Sequence, residues 1–132
     1  GPSVTLKGEA PMFRCLWLIA GVAMIDAPPP RTALVVHNYY YAKPGMADSV
    51  HRTRLEASAI RRRAGLVVGT VLRRTSGPDS LADVIWEAEY PDSAARARDV
   101  AALDGNAEFE AIQSRMSGLI RRFERSTWMT DR

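Results

Sequence analysis

The chain has 132 residues, 46% of them apolar and 25% charged, which suits one globular domain around one core and excludes a disordered chain. The net charge is only +3, and the 18 basic residues are nearly all arginine. The single cysteine, Cys15, excludes an intramolecular disulfide framework and any multi-cysteine zinc site, while His37 and His51 are too few for most metal sites unless carboxylates join them.

Residues 1–30 read as an N-terminal extension. The opening Gly-Pro resembles a tag remnant left by a protease. The stretch "MFRCLWLIAGVAMIDAPPP" then holds an apolar run, Leu16 to Ile25, long enough for a signal-peptide core and too short for a membrane span. Three readings stay open for it: a signal peptide, a native strand or short buried helix, and an extension upstream of a start at Met24. Ala-Pro-Pro-Pro is a poor cleavage context, which weighs against the first. Pro28, Pro29 and Pro30 form a stiff spacer without amide donors, so the domain proper is expected over residues 31–132.

Residues 32–42 are rich in β-branched and aromatic types and predict a strand that Lys43-Pro44-Gly45 ends. Met46, Val50, Thr53, Ala57, Ile60 and Ala64 recur at steps of three and four, one face of a helix with Gly65 as its C-cap. "LVVGTVLRR" predicts a second strand, with Gly69 marking a bulge or a close approach. "TSGPDS" is a turn by composition, and "LADVIWEAEY" predicts a third strand. Pro91 and Asp92 open a helical region capped by Asp92 or Ser93. Gly105-Asn106 interrupts it, and Phe109, Ile112, Met116 and Leu119 resume the stripe. "RRFERSTWM" alternates and predicts a fourth strand.

The order is βαββαβ, an α+β ferredoxin-like sheet with helices on one face. The run "VVHNYYYAKPGM" is then informative. Leu34, Val36, Asn38 and Tyr40 point one way, and Val35, His37, Tyr39 and Tyr41 the other. Both sets are too apolar to be left in water. One is expected under the chain's own helices, the other against a second copy or a ligand, with the tyrosines packing and their hydroxyls at a wet rim. An RNA-binding sheet is the reading set aside. It would need a basic, aromatic third strand, whereas Glu87 and Glu89 share a face with Ile85 and repel phosphates. The arginines at 61–63 and at 73 and 74 read instead as a solvated helix end and strand end.

"VVHNYYYAKPGM" and "DVIWEAEYPDSAARARDVAAL" with the following "AEFEAI" resemble the dimeric α/β-barrel superfamily over roughly residues 32–130. That superfamily includes antibiotic-biosynthesis monooxygenases, muconolactone isomerases, haem-degrading oxygenases, stress-responsive barrel proteins and NIPSNAP-like domains. The resemblance implies a homodimer through the bare sheet face and a pocket between sheet and helices. Fold alone does not give function. The haem-degrading branch matches Asn38 and the Trp86-Glu87 pair, yet "EFEAIQ" puts Ile112 where that branch carries its iron-ligating histidine, and "RARDVAAL" lacks its tryptophan. No haem, flavin or metal is therefore expected.

The expected ligand-binding residues are Tyr40, Trp86, Tyr90, Met116 and Phe123, together with Asn38. The chemistry-capable set is His37, Asn38 and Tyr39, with Glu87 and His51 as further polar groups. His37 would act as base, histidine being the side chain that titrates near neutrality, and Asn38 with a hydroxyl from Tyr39 or Tyr40 would hold an oxyanion. His37 and Asn38 share one pocket only if a bulge intervenes, and a structural histidine is the equal alternative. The implied function is a small-molecule-binding dimer, a cofactor-independent monooxygenase or isomerase acting on an aromatic or polyketide-like metabolite. A non-catalytic or stress-responsive barrel is the alternative. Expected partners are a second copy and a small apolar or aromatic ligand, without nucleic acid or membrane, in the cytoplasm.

Overall fold

Strand β1, Thr32–Ala42, alternates in burial as its sequence alternates in facing. Val36, Asn38 and Tyr40 are buried, while Val35, His37 and Tyr39 between them are half-buried. The computed structural model describes residues 32–131, and the expectations for residues 1–31 lie outside them. After β1 come α1 (Ala47–Arg63), β2 (Thr70–Arg73), β3 (Val84–Tyr90), α2 (Ser93–Ala101), α3 (Ala107–Leu119) and β4 (Ile120–Asp131). The four strands form one antiparallel sheet in the order β2-β3-β1-β4, so the fold is ferredoxin-like α+β.

The core lies on the helix-bearing face. Val36 and Tyr40 of β1 meet Val84, Trp86, Ala88 and Tyr90 of β3, with Val50 of α1 and Met116 of α3 closing over them. A second cluster, Ala57, Ile60, Leu103 and Ile112, joins α1 to the α2–α3 connection and α3. Gly65 ends α1 at φ 72°, and the amides of Gly65 and Leu66 return to the carbonyls of Arg62 and Arg61. That left-handed residue past the helix end is the C-cap expected from sequence. Asp92 caps α2 by accepting from the Ala95 amide at 2.8 Å, and Asn106 caps α3 by accepting from Phe109 at 2.8 Å.

The second strand is shorter than "LVVGTVLRR" suggests. Leu66–Gly69 stay out of the ladder because their groups are used elsewhere. The Val67 amide donates to Asp99 Oδ1 at 3.1 Å, the Val68 carbonyl accepts from Trp86 Nε1 at 2.9 Å, and Leu66 packs into the second cluster. Gly69 is a close approach rather than a bulge. At φ 70°, a Cβ there would sit 2.5 Å from Trp86 Nε1 and 2.6 Å from the Glu87 carbonyl. Gly69→Ala is therefore expected to lower the unfolding free energy by about 1–3 kcal/mol from the backbone conformation alone, with the clash added. Urea denaturation followed by circular dichroism reads this directly, and an unchanged midpoint would refute it.

Candidate ligand-binding site

A cavity of about 410 Å³ lies between the helix-bearing face of the sheet and the helices. Its apolar wall comes from α3, through Phe109, Ile112 and Met116, and from Phe123 of β4. Tyr40 and Phe123 meet edge to face with ring centroids 5.3 Å apart. The polar wall is more unusual. Four arginines line the cavity: Arg54 and Arg61 from α1, Arg96 from α2 and Arg125 from β4.

Arg54 and Arg61 are seven residues apart, two turns of α1, and so share its inward face with Val50 and Ala57. Their guanidinium carbons lie 4.6 and 4.7 Å from the Trp86 ring centroid. Such cation–π contacts are worth more when desolvated. Here both arginines are buried, at 4% and 5% exposure.

Arg61 is neutralised locally. Its Nη1 donates to Asp99 Oδ2 at 2.6 Å and to the Val67 carbonyl at 3.2 Å. Asp99 also accepts from the Tyr90 hydroxyl at 2.7 Å and from the Val67 amide. Burial pushes the Asp99 carboxyl upward, but the hydrogen bonds from Arg61, Tyr90 and Val67 outweigh it and hold the group below the usual carboxylate range. Burial first, and then the bond to Asp99, push the Tyr90 phenol up to about 12. Tyr90 is thus a fixed donor at neutral pH, not a base. At the other wall, Arg125 Nε donates to Asn38 Oδ1 at 2.7 Å, which fixes the Asn38 amide with its NH2 directed away from the arginine.

The structure brings Asn38, Tyr40, Trp86, Tyr90, Met116 and Phe123 together around one cavity. It divides His37, Asn38 and Tyr39. Register between β1 and β4 is regular from Thr32 to Tyr41, and the shift falls only at Tyr41/Ala42. With no bulge at His37, Asn38 alone faces the cavity, and His37 and Tyr39 lie on the opposite face of the sheet. There His37 Nε2 sits 2.7 Å from Glu87 Oε2, and the Tyr39 hydroxyl bridges His37 Nδ1 at 3.3 Å and Ser126 Oγ at 2.9 Å. Trp128 Nε1 donates to the same Ser126 oxygen at 2.8 Å. His51, on α1, does not line the cavity either.

Arg54, Arg61, Asp99 and Arg125 were not among the expected site residues. Arg61 in particular is no solvated helix end. The signal was present: positions 54 and 61 fall inside the 50-53-57-60 stripe, and a charge inside an apolar stripe points to a buried partner or a ligand.

No family model matches the chain, and no curated protein matches it in sequence. Solved structures do share its fold. A NIPSNAP family protein from Agrobacterium tumefaciens superposes with a TM-score of 0.60 at 21% identity, covering 73% of this chain and 90% of the other. SnoaB, a cofactor-independent oxygenase from Streptomyces nogalater, gives 0.51 at 19% identity, covering 74% and 90%. A dimeric ferredoxin-like protein from an uncultured marine organism gives 0.54 at 8% identity, covering 76% and 88%. At such identities the likeness carries the fold and leaves the activity to the site. Among the described residues, no helix is long and apolar enough to cross a membrane.

Proposed function

We propose that this chain binds a small aromatic or polyketide-like metabolite in the cavity between sheet and helices, and works as a homodimer joined through the bare sheet face. The observation that carries the reading is the cavity itself. It has the size of an ordinary ligand site, one apolar and aromatic wall, and a few fixed polar groups opposite. The dimer rests on Tyr39, Ile85, Leu72 and Trp128, which crowd the face that no helix of the described residues covers.

Cofactor-independent oxygenation or isomerisation of an acidic phenol or enol is the chemistry this cavity suits best. Such a reaction needs the substrate anion stabilised, and arginines buried in the cavity wall lower the cost of forming it. Asn38 is placed to donate to the anion, its carbonyl being occupied by Arg125. His37 lies on the opposite face of the sheet, so in this reading the anion forms through the substrate's own acidity.

The test uses 1,8-dihydroxyanthrone, an acidic tricyclic phenol. Calorimetry should show one site per chain, and Ile112→Trp, which fills the apolar wall, should abolish it. Oxygen uptake above the uncatalysed rate in an oxygen electrode would establish the oxygenase reading. Binding without uptake would leave a binding protein, and binding unaffected by Ile112→Trp would move the site elsewhere.

A further inference from the structure

We infer that Arg54 is an anion-binding residue of the cavity, and that the ligand carries an organic oxyanion (a carboxylate, phenolate or enolate) joined to its aromatic part. The inference rests on the proposed small-molecule reading and narrows its chemistry.

The ground is a contrast between two neighbouring guanidinium groups. Arg61 and Arg54 are equally buried, on one helix, against one indole. Arg61 has the Asp99 carboxylate at 2.6 Å. Arg54 has no carboxylate within ion-pair distance among the described residues. Its Nη1 reaches Ser58 Oγ at 3.4 Å, beyond the usual N–H···O range, and its other polar neighbour is the Tyr40 hydroxyl, while its Nε, like that of Arg61, has no partner among the described residues.

A guanidinium carries five N–H donors, and taking it out of water without a counter-charge is expensive. Burial pulls the Arg54 pKa down to about 10, with the Tyr40 hydroxyl opposing and the Arg61 charge assisting, so the group is still a cation at neutral pH. The cavity thus holds a buried positive charge whose hydrogen-bond partners, Ser58 and Tyr40, are neutral. The rest of its wall does not neutralise it. Arg125 is spent on the neutral Asn38 amide, and Arg96 has no ion pair among the described residues. The carboxylates of Asp104 and Glu110 are on exposed residues at the margin. A planar oxyanion matches the guanidinium fork in two parallel hydrogen bonds, and Ile112, Met116 and Phe123 offer its ring an apolar wall.

The test pairs two probes of one shape, 2-naphthoate and 2-naphthamide, titrated calorimetrically into the full chain at pH 7. The wild type should bind the carboxylate at least tenfold more tightly than the amide. Arg54→Met should bring the carboxylate to the level of the amide and leave amide affinity unchanged. Arg54→Lys should retain part of the preference, and Arg62→Met, on the exposed side of α1, should change neither. Equal affinities in the wild type would overturn the anion assignment while the cavity reading survives, a comparison that needs no variant to fold. A full preference in folded Arg54→Met would also overturn it. Binding of neither probe would remove the inference and the cavity reading together.

Discussion

Asp99→Asn is expected to destabilise the protein by about 3–5 kcal/mol, because it leaves Arg61 buried and charged with no acid partner. That is a large fraction of the stability of a domain this size. Three donors converge on the carboxylate, from Arg61, Tyr90 and Val67, so its loss also loosens the Leu66–Gly69 segment. The effect should carry a pH signature. The Asp99 carboxyl is held below its ordinary range in the folded state, so its stabilising contribution is complete above the unfolded value of about 4. It is lost as the pH falls through the folded value. The stability gap between wild type and Asp99→Asn should therefore be constant near neutrality and narrow in acid. Urea titrations at pH 7 and pH 3 measure both. A gap that widens in acid would contradict the assignment of an ionised Asp99.

Ile85→Arg is expected to turn a dimer into a monomer. Ile85 lies across from Tyr39 on one side and Leu72 on the other, in the middle of the bare face. A shallow apolar depression of about 280 Å³, walled by Tyr39, Leu72, Leu81 and Ile85, adjoins it. An interface over this face would bury on the order of 2,000 Å². Burying a long charged side chain at its centre should weaken association by about 100-fold or more, since each 1.4 kcal/mol is tenfold. Sedimentation at micromolar concentration should give twice 14.6 kDa for the wild type and a single chain mass for the variant. A monomeric wild type would end the barrel reading and leave the ferredoxin-like topology intact.

The order of elements was legible because each carried its own period. Two-residue alternation in "LVVHNYYY" and three-to-four spacing from Met46 to Ala64 leave little choice of topology. The wall of the cavity formed by Asn38, Tyr40, Trp86, Tyr90, Met116 and Phe123 followed from which side of each strand or helix faced the core. The arginines did not follow. Charge in a helix is read by default as solvated; the place of Arg54 and Arg61 inside the 50-53-57-60 stripe points to burial, but only the fold names Asp99, 38 positions away, as the partner of Arg61. The limit on Leu66–Gly69 has a similar cause. "LVVG" has strand composition, but its hydrogen bonds go to the Asp99 carboxylate and the Trp86 indole, which no local pattern announces.

The regular pleat of β1 turns even-numbered residues to the helix-bearing face, where Asn38 and Tyr40 line the cavity, and odd-numbered ones to the bare face, from Leu34 to Tyr41. Point substitutions therefore touch one face at a time. Inserting or deleting one residue within Val35–Tyr40 would exchange the two wholesale, presenting His37 and Tyr39 to the arginines and Asn38 and Tyr40 to the opposite face. This strand should accordingly drift in composition but never in length, whereas the "TSGPDS" turn between β2 and β3, exposed nearly throughout, should vary in both.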